Sequence, residues 1–279
     1  MQQNAVALKV ENMNLADAMG FSAPTTPTQS SLRRITGTVI QEVVEGKVAS
    51  SPVFKIISEE DTVFAREVEV RLFAERQKWQ RWDSENKTMQ KSVMSTTLNQ
   101  DLKDTLGTFN LGRRSGFIKD FAALPKNEQD LIRSISRVKV LMGKATLVDA
   151  FYEGGTPADG YDTEFAFIMD VKNRDSLKFI DSAVGKLIKK RINPAEHSIA
   201  LLGETRSLPN GSPYMVTNAS LSNFVGLQEG DNETLQDFLD YIESSNEYVR
   251  TKWAENNVET ISDSEKNIVS NIVDVEDFE

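Results

Sequence analysis

Over much of its length this chain alternates hydrophobic and polar residues, the period-two pattern of half-buried β-strands. Arg33 to Ile40 sets Ile35 and Val39 between polar residues, and Pro52 to Ser58 carries Val53, Phe54, Ile56 and Ile57. Val63 to Trp82 reads as a third strand, long enough that a curve or bulge is expected. In it Val68, Val70, Leu72 and Ala74 are expected on one face, with Glu69, Arg71 and Phe73 on the other. Asp83 to Asn86 turns the chain, and Lys87 to Met94 returns as the hairpin partner. Arg137 to Ala150 is a further strand with a kink at Gly143, and Glu164 to Val171 pairs back. Ser198 to Leu202 and Tyr214 to Leu221 flank the Leu208-Pro-Asn-Gly211 turn as another hairpin.

In three places the period becomes helical. Pro125 opens a short helix through Ser134, and Asp175 to Lys190 places Leu177, Ile180, Val184, Leu187 and Ile188 on one stripe. Glu233 to Trp253, capped by Asp231 or Asn232, does the same with Leu235, Phe238, Leu239 and Ile242. Strands and helices do not alternate regularly as a parallel sheet demands. The expected fold class is therefore α+β, mostly antiparallel, around a small barrel with about three helices. Asn99 to Phe121 and Glu153 to Gly160 read as loops. The expected organisation is a flexible polar leader over 1–31, a folded body over 32–252 and an acidic, disordered tail over 253–279.

Composition removes whole classes of chemistry. With no cysteine, disulfides, zinc–thiolate sites, iron–sulfur clusters and cysteine nucleophiles are excluded. The one histidine, His197, cannot build a multi-histidine metal site, and at the head of an apolar strand it reads as an ordinary structural residue. No apolar run approaches the ~20 residues that span a bilayer, and Met1 to Ser31 lacks the pattern of a signal peptide. A cytoplasmic protein is expected, in the host cytoplasm if viral. The net charge of −10 is unevenly placed: residues 227–279 hold 15 acidic side chains against three basic ones, which leaves 27 acidic and 29 basic in the rest. Such asymmetry points to handling of nucleic acid or to an interaction tail.

No catalytic motif is present, so neither enzymatic activity nor a cofactor is expected. The richest run is Arg71-Leu-Phe-Ala-Glu-Arg-Gln-Lys-Trp-Gln-Arg-Trp-Asp83, where Arg71, Phe73, Lys78, Trp79, Arg81 and Trp82 interleave cations with aromatic rings. At even spacing Phe73 and Trp79 would share a face with Arg71 and Arg81. Aromatic faces stack on bases at ~1–3 kcal/mol each while neighbouring cations meet phosphates, which suits sequence-tolerant single-strand binding. A glycine-punctuated loop adds Arg113, Arg114 and Phe117, and reads as flexible enough to close over a strand. Lys186 to Arg191 ends the middle helix, where cations complement the helix dipole. Asp149, Asp162, Glu164 and Asp170 lie near strand ends, but their spacing matches no metal loop. In the tail, Asp274, Glu276, Asp277 and Phe278 set an aromatic among acids, as a segment docking on a basic partner would.

With the strand set from Arg33 to Met94, the basic–aromatic run and the acidic tail, the layout resembles that of the single-stranded DNA-binding proteins of bacteriophages. The resemblance implies an OB-like barrel with a basic, aromatic cleft. It also implies a coating role on single-stranded DNA in replication or recombination, and a tail that recruits partner proteins. The chain differs from that pattern in ending on Glu279 after Phe278, and it cannot form the cysteine/histidine cluster of the zinc-containing members. Two other functions fit the same residues. One is a phage assembly or virion protein, a homo-oligomer whose aromatics form the subunit interface; the other is a metal-dependent nuclease using the mid-chain acids.

Overall fold

The computed structural model describes residues 32–44, 47–57, 62–98, 100–113 and 118–257. The leader 1–31, Arg114, Phe117 and the tail residues Asp274, Glu276, Asp277 and Phe278 lie outside the described residues. The strands are β1 (Arg33–Val44), β2 (Lys47–Ile57), β3 (Thr62–Ala65), β4 (Glu67–Asp83), β5 (Thr88–Lys91), β6 (Ser136–Val148), β7 (Phe151–Tyr152), β8 (Phe165–Val171), β9 (His197–Ser207) and β10 (Pro213–Phe224). The helices are α1 (Lys126–Ser134), α2 (Arg174–Lys189) and α3 (Asp231–Asn257). The fold is thus α+β, and none of these helices is long and apolar enough to cross a membrane.

One ten-stranded sheet runs through the described residues in the order β10-β9-β4-β6-β8-β1-β2-β3-β7, with β5 on the free end of β4. Every pairing is antiparallel except β1 with β8. The sheet curls into a half-barrel, so that β10 and β9 come round to β1 and β2. Where they meet there is room only for glycine: a Cβ on Gly203 would lie 2.7 Å from the Pro52 side chain.

The inner face of the curl holds the larger core, with Ile35, Phe54, Val70, Leu141, Phe167 and Ile199 all buried. Helix α2 adds Ile180, Ala183 and Leu187 to it. It starts at Asn173, whose side chain accepts from the Asp175 and Ser176 backbone N–H groups, the standard use of asparagine at a helix start. A smaller core lies on the outer face, where Phe238 and Ile242 of α3 cover Val138, Val140, Met142 and Ile168.

The long third strand departs from the expected pattern. It breaks at Arg66 into β3 and β4, and β4 carries the anticipated bulge. Leu72 faces Gly143 and Ala74 faces Met142, so Phe73 is the extra residue. One extra residue reverses the faces that follow. Val68, Val70 and Leu72 point into the inner core as expected, whereas Ala74 joins the outer one. The Arg71 carbonyl occupies the space a Cβ at Gly143 would take, which is why the partner strand has glycine there.

Arg71 itself is 1% exposed and corrects the expectation of a phosphate-binding side chain. Its Nε and Nη2 donate to Glu164 at 2.7 and 2.8 Å, and Nη1 and Nη2 donate to Asp231 at 2.8 and 3.0 Å. Nη1 also donates to the carbonyls of Ala195 and Gly226. Lys144 donates to Asp231 at 2.6 Å, and the Gln228 N–H does so at 2.8 Å. Burial would push the Asp231 carboxyl up, but the hydrogen bonds from Arg71 and Lys144 outweigh it and hold the group well below the usual carboxylate range.

Asp231→Asn is therefore expected to destabilise the protein by about 3–5 kcal/mol in denaturant titrations at neutral pH, because it leaves Arg71 buried and half-paired. The folded pKa of Asp231 lies below its unfolded value of about 3.9. Its contribution is thus complete above that pH and is lost as the pH falls further. The variant's deficit should shrink on acidification below about pH 4. An unchanged denaturation midpoint, or a deficit independent of pH, would contradict this role.

Candidate nucleic-acid interface

A cleft of ≈ 890 Å³ opens between the end of the sheet and α3. Its floor is Arg34 on β1, Lys78 on β4, Lys91 on β5 and Asp170 on β8, and Lys172 stands beyond β8 at its edge. Tyr241, Ser245 and Tyr248 of α3 form the opposite wall. Four cations thus line a space that contains one acid, Asp170.

Asp170 holds two of the four. It lies 3.3 Å from Lys78 and 3.5 Å from Arg34. Burial raises the pKa of the Tyr241 hydroxyl beside them, and the positive charge of Arg34 opposes that only in part. Lys91 donates to Ser245 at 3.4 Å and its ammonium lies 5.3 Å from the Tyr248 ring centroid. Neither Lys91 nor Lys172 is in an ion pair among the described residues. Burial pushes the pKa of both Lys78 and Lys91 down, and for Lys78 the Asp170 carboxylate opposes that only in part. A lysine desolvated in this way gains from an incoming anion what the protein leaves unsatisfied.

The wall is held at both ends. Asp231 anchors the first turn of α3 in the Arg71 network. Halfway along, Asn246 accepts from the Met94 N–H at 2.8 Å and donates to the Met94 carbonyl at 2.9 Å. Near the other end Trp253 Nε1 donates to the Thr108 carbonyl at 3.0 Å, and Gly107 packs so closely on Asn256 that a Cβ would clash with its backbone. The cleft is therefore built in advance of any ligand.

The bulge at Phe73 divides the residues singled out in the sequence. Lys78, Gln80 and Trp82 alternate along the face of β4 that carries the cleft, and Lys91 and Met89, the cross-strand neighbours of Gln80 and Trp82, line it too. Trp82 is 56% exposed beside the cleft. Trp79 and Arg81 occupy the opposite face, where the Arg113 guanidinium lies 4.5 Å from the Trp79 ring centroid and covers it. Phe73 packs edge-on against Phe238 beneath α3. The expected shared face of Arg71, Phe73, Trp79 and Arg81 is thus corrected: of the run from Arg71 to Asp83, Lys78 and Gln80 line the cleft and Trp82 stands beside it.

The glycine-punctuated loop is also corrected over the part described. The buried carboxylate of Asp104 accepts from the N–H groups of Leu106, Thr108 and Leu111 and from the Thr108 hydroxyl, which ties the segment into a fixed turn. Of the four mid-chain acids, Glu164 is held by Arg71 and Asp170 by Lys78 and Arg34. Among the described residues no group of three histidine, aspartate or glutamate side chains is close enough to hold a metal ion.

Sequence inspection missed Arg34, Lys91, Lys172, Tyr241 and Tyr248. Lys91 alone carried a signal, since the hairpin pairing sets it opposite Gln80. The others come from β1, the end of β8 and α3, and only the closed fold brings them together. Comparison with protein-family models, with curated proteins and with solved structures finds no match to this chain.

Proposed function

We propose that this protein binds single-stranded nucleic acid in the cleft between the sheet and α3, without performing chemistry on it. The observation that carries the proposal is the cleft's composition: Arg34, Lys78, Lys91 and Lys172 against the single carboxylate of Asp170, with Tyr241 and Tyr248 in the wall and Trp82 beside it. Cations spaced along a groove meet a phosphodiester backbone, and exposed aromatic rings accept bases whatever their identity. A groove of this size, open to solvent and fixed at both ends of its wall, suits an extended strand. On this proposal the half-barrel sheet acts as an OB-like body, and single-stranded DNA coated during replication or recombination is the intended ligand. The acidic tail, with Asp274, Glu276, Asp277 and Phe278, is proposed to recruit partner proteins; its sequence is the support for that part.

Two measurements test the cleft. Fluorescence anisotropy of a labelled oligothymidine should give an affinity that falls linearly with salt on a log–log plot. Lys91→Ala and Lys172→Ala should each make that slope shallower by about 0.7, the value for one single-strand phosphate contact. No binding at low salt, or slopes equal to wild type, would overturn the proposal.

Intrinsic fluorescence separates the two faces of the hairpin. Trp79 is covered by Arg113, and Trp253 is bonded to Thr108 and lies 5.3 Å from the Lys103 ammonium, so Trp82 is the ring left free to stack. Trp82→Phe should abolish most of the quenching on binding, whereas Trp79→Phe and Trp253→Phe should leave it. Quenching that disappears with Trp79 instead would put the strand on the wrong face for the cleft.

A further inference from the structure

We propose that a strand held in the cleft continues along the outer face of α2 to the basic cluster at that helix's C-terminal end, which is a second part of the binding site. This rests on the proposed nucleic-acid role of the cleft and extends it.

Helix α2 begins at the cleft: Lys172, Asn173 and Ser176 are among the residues lining it. From there its 16 residues run ~24 Å. Its two acids are already neutralised. Asp175 lies 2.8 Å from Arg206 and 3.1 Å from Lys178, and Asp181 lies 2.6 Å from Lys139. Arg174, Lys186 and Lys189 on the helix, and Lys190 and Arg191 just past it, are all exposed. None of these five has an ion-pair partner or a side-chain hydrogen bond among the described residues.

The helix dipole accounts for a cation or two in the last turn. It does not account for four within six residues, because Lys186 repels Lys189 and Lys190 at spacings of three and four. The closing residue departs from habit as well. Arg191 adopts φ 57°, in the left-handed region where glycine or asparagine ordinarily ends a helix, and the Ile192 N–H reaches back to the Leu187 carbonyl at 3.0 Å. A cationic side chain is kept where the backbone would favour one without a bulky Cβ. Amid the cluster Ile188 is 62% exposed, an apolar contact of the kind sugars and bases use.

The opposite wall has the opposite sign. Helix α3 exposes Glu233, Asp237, Asp240, Glu243 and Glu247, of which, among the described residues, Glu243 alone is in an ion pair, with Arg250. A polyanion leaving the cleft is thus repelled by α3 and drawn along α2.

The test is a variant combining Lys186→Gln, Lys189→Gln, Lys190→Gln and Arg191→Gln, titrated with oligothymidines of about four and about sixteen nucleotides, the range of site sizes for one such domain. All four side chains are exposed, so the thermal midpoint should match wild type and serves as the folding control. The variant should bind the short oligonucleotide as wild type does. For the long one it should lose on the order of tenfold at low salt, with a log–log salt slope shallower by up to about 3. Replacing the three lysines by arginine should leave both lengths unaffected. An unchanged affinity and slope for the long oligonucleotide overturns the extension while leaving the cleft intact, as does an equal loss on both lengths. If the variant instead loses binding to vesicles of anionic lipid with oligonucleotide binding untouched, the cluster is a membrane contact and the extension is wrong. If wild type binds neither oligonucleotide, the role of the cleft fails first and the extension falls with it.

Discussion

One buried guanidinium ties the architecture together. Arg71 on β4 reaches Glu164 ahead of β8, the Ala195 carbonyl ahead of β9, the Gly226 carbonyl after β10 and Asp231 at the start of α3. A buried cation is costly unless its donors are satisfied, and here four segments far apart in sequence supply the acceptors. Asp231 is in turn completed by Lys144 and by the Gln228 N–H. The network fixes where α3 begins relative to β4 and β6. Because α3 is the wall of the cleft, the position of Tyr241, Ser245 and Tyr248 follows from a cluster at the other end of the outer sheet face.

The same strand shows what an amino-acid sequence reveals and what it conceals. Period-two alternation located every long strand, and the two hairpins at Asp83–Asn86 and Leu208–Gly211 form where their turn residues stand. The helices begin or end within a few residues of the positions their caps and stripes imply, although α3 runs on through Asn257, past the expected start of the tail. A bulge was anticipated in the long strand, but alternation cannot say which residue is the extra one. With Phe73 in that role, Arg71 and Trp79 fall on opposite faces although their numbers differ by eight. Nor does an arginine in a polar run announce its own burial, since its partners lie 93 to 160 residues away. The cleft was hidden for the same reason. Its cations are single residues on separate elements and form no contiguous run in the sequence.

Charge gives the molecule a direction. The acidic excess after Leu227 belongs in part to the exposed face of α3, so it is a feature of the folded body and not of the tail alone. Opposite it stand the cations of the cleft floor and of α2. A polyanion in the cleft therefore meets attraction on the sheet side and repulsion at the outer rim of α3, a field that orients a strand without reading its bases.

Photo-crosslinking of a thymidine oligonucleotide, with the adducts mapped by mass spectrometry, asks most directly whether the strand lies where the charges and rings place it. Adducts on Trp82, Tyr241 or Tyr248 that vanish at high salt are expected from a strand in the cleft. Adducts confined to Trp79 and the Arg113 side of the hairpin, or none at low salt, would contradict it.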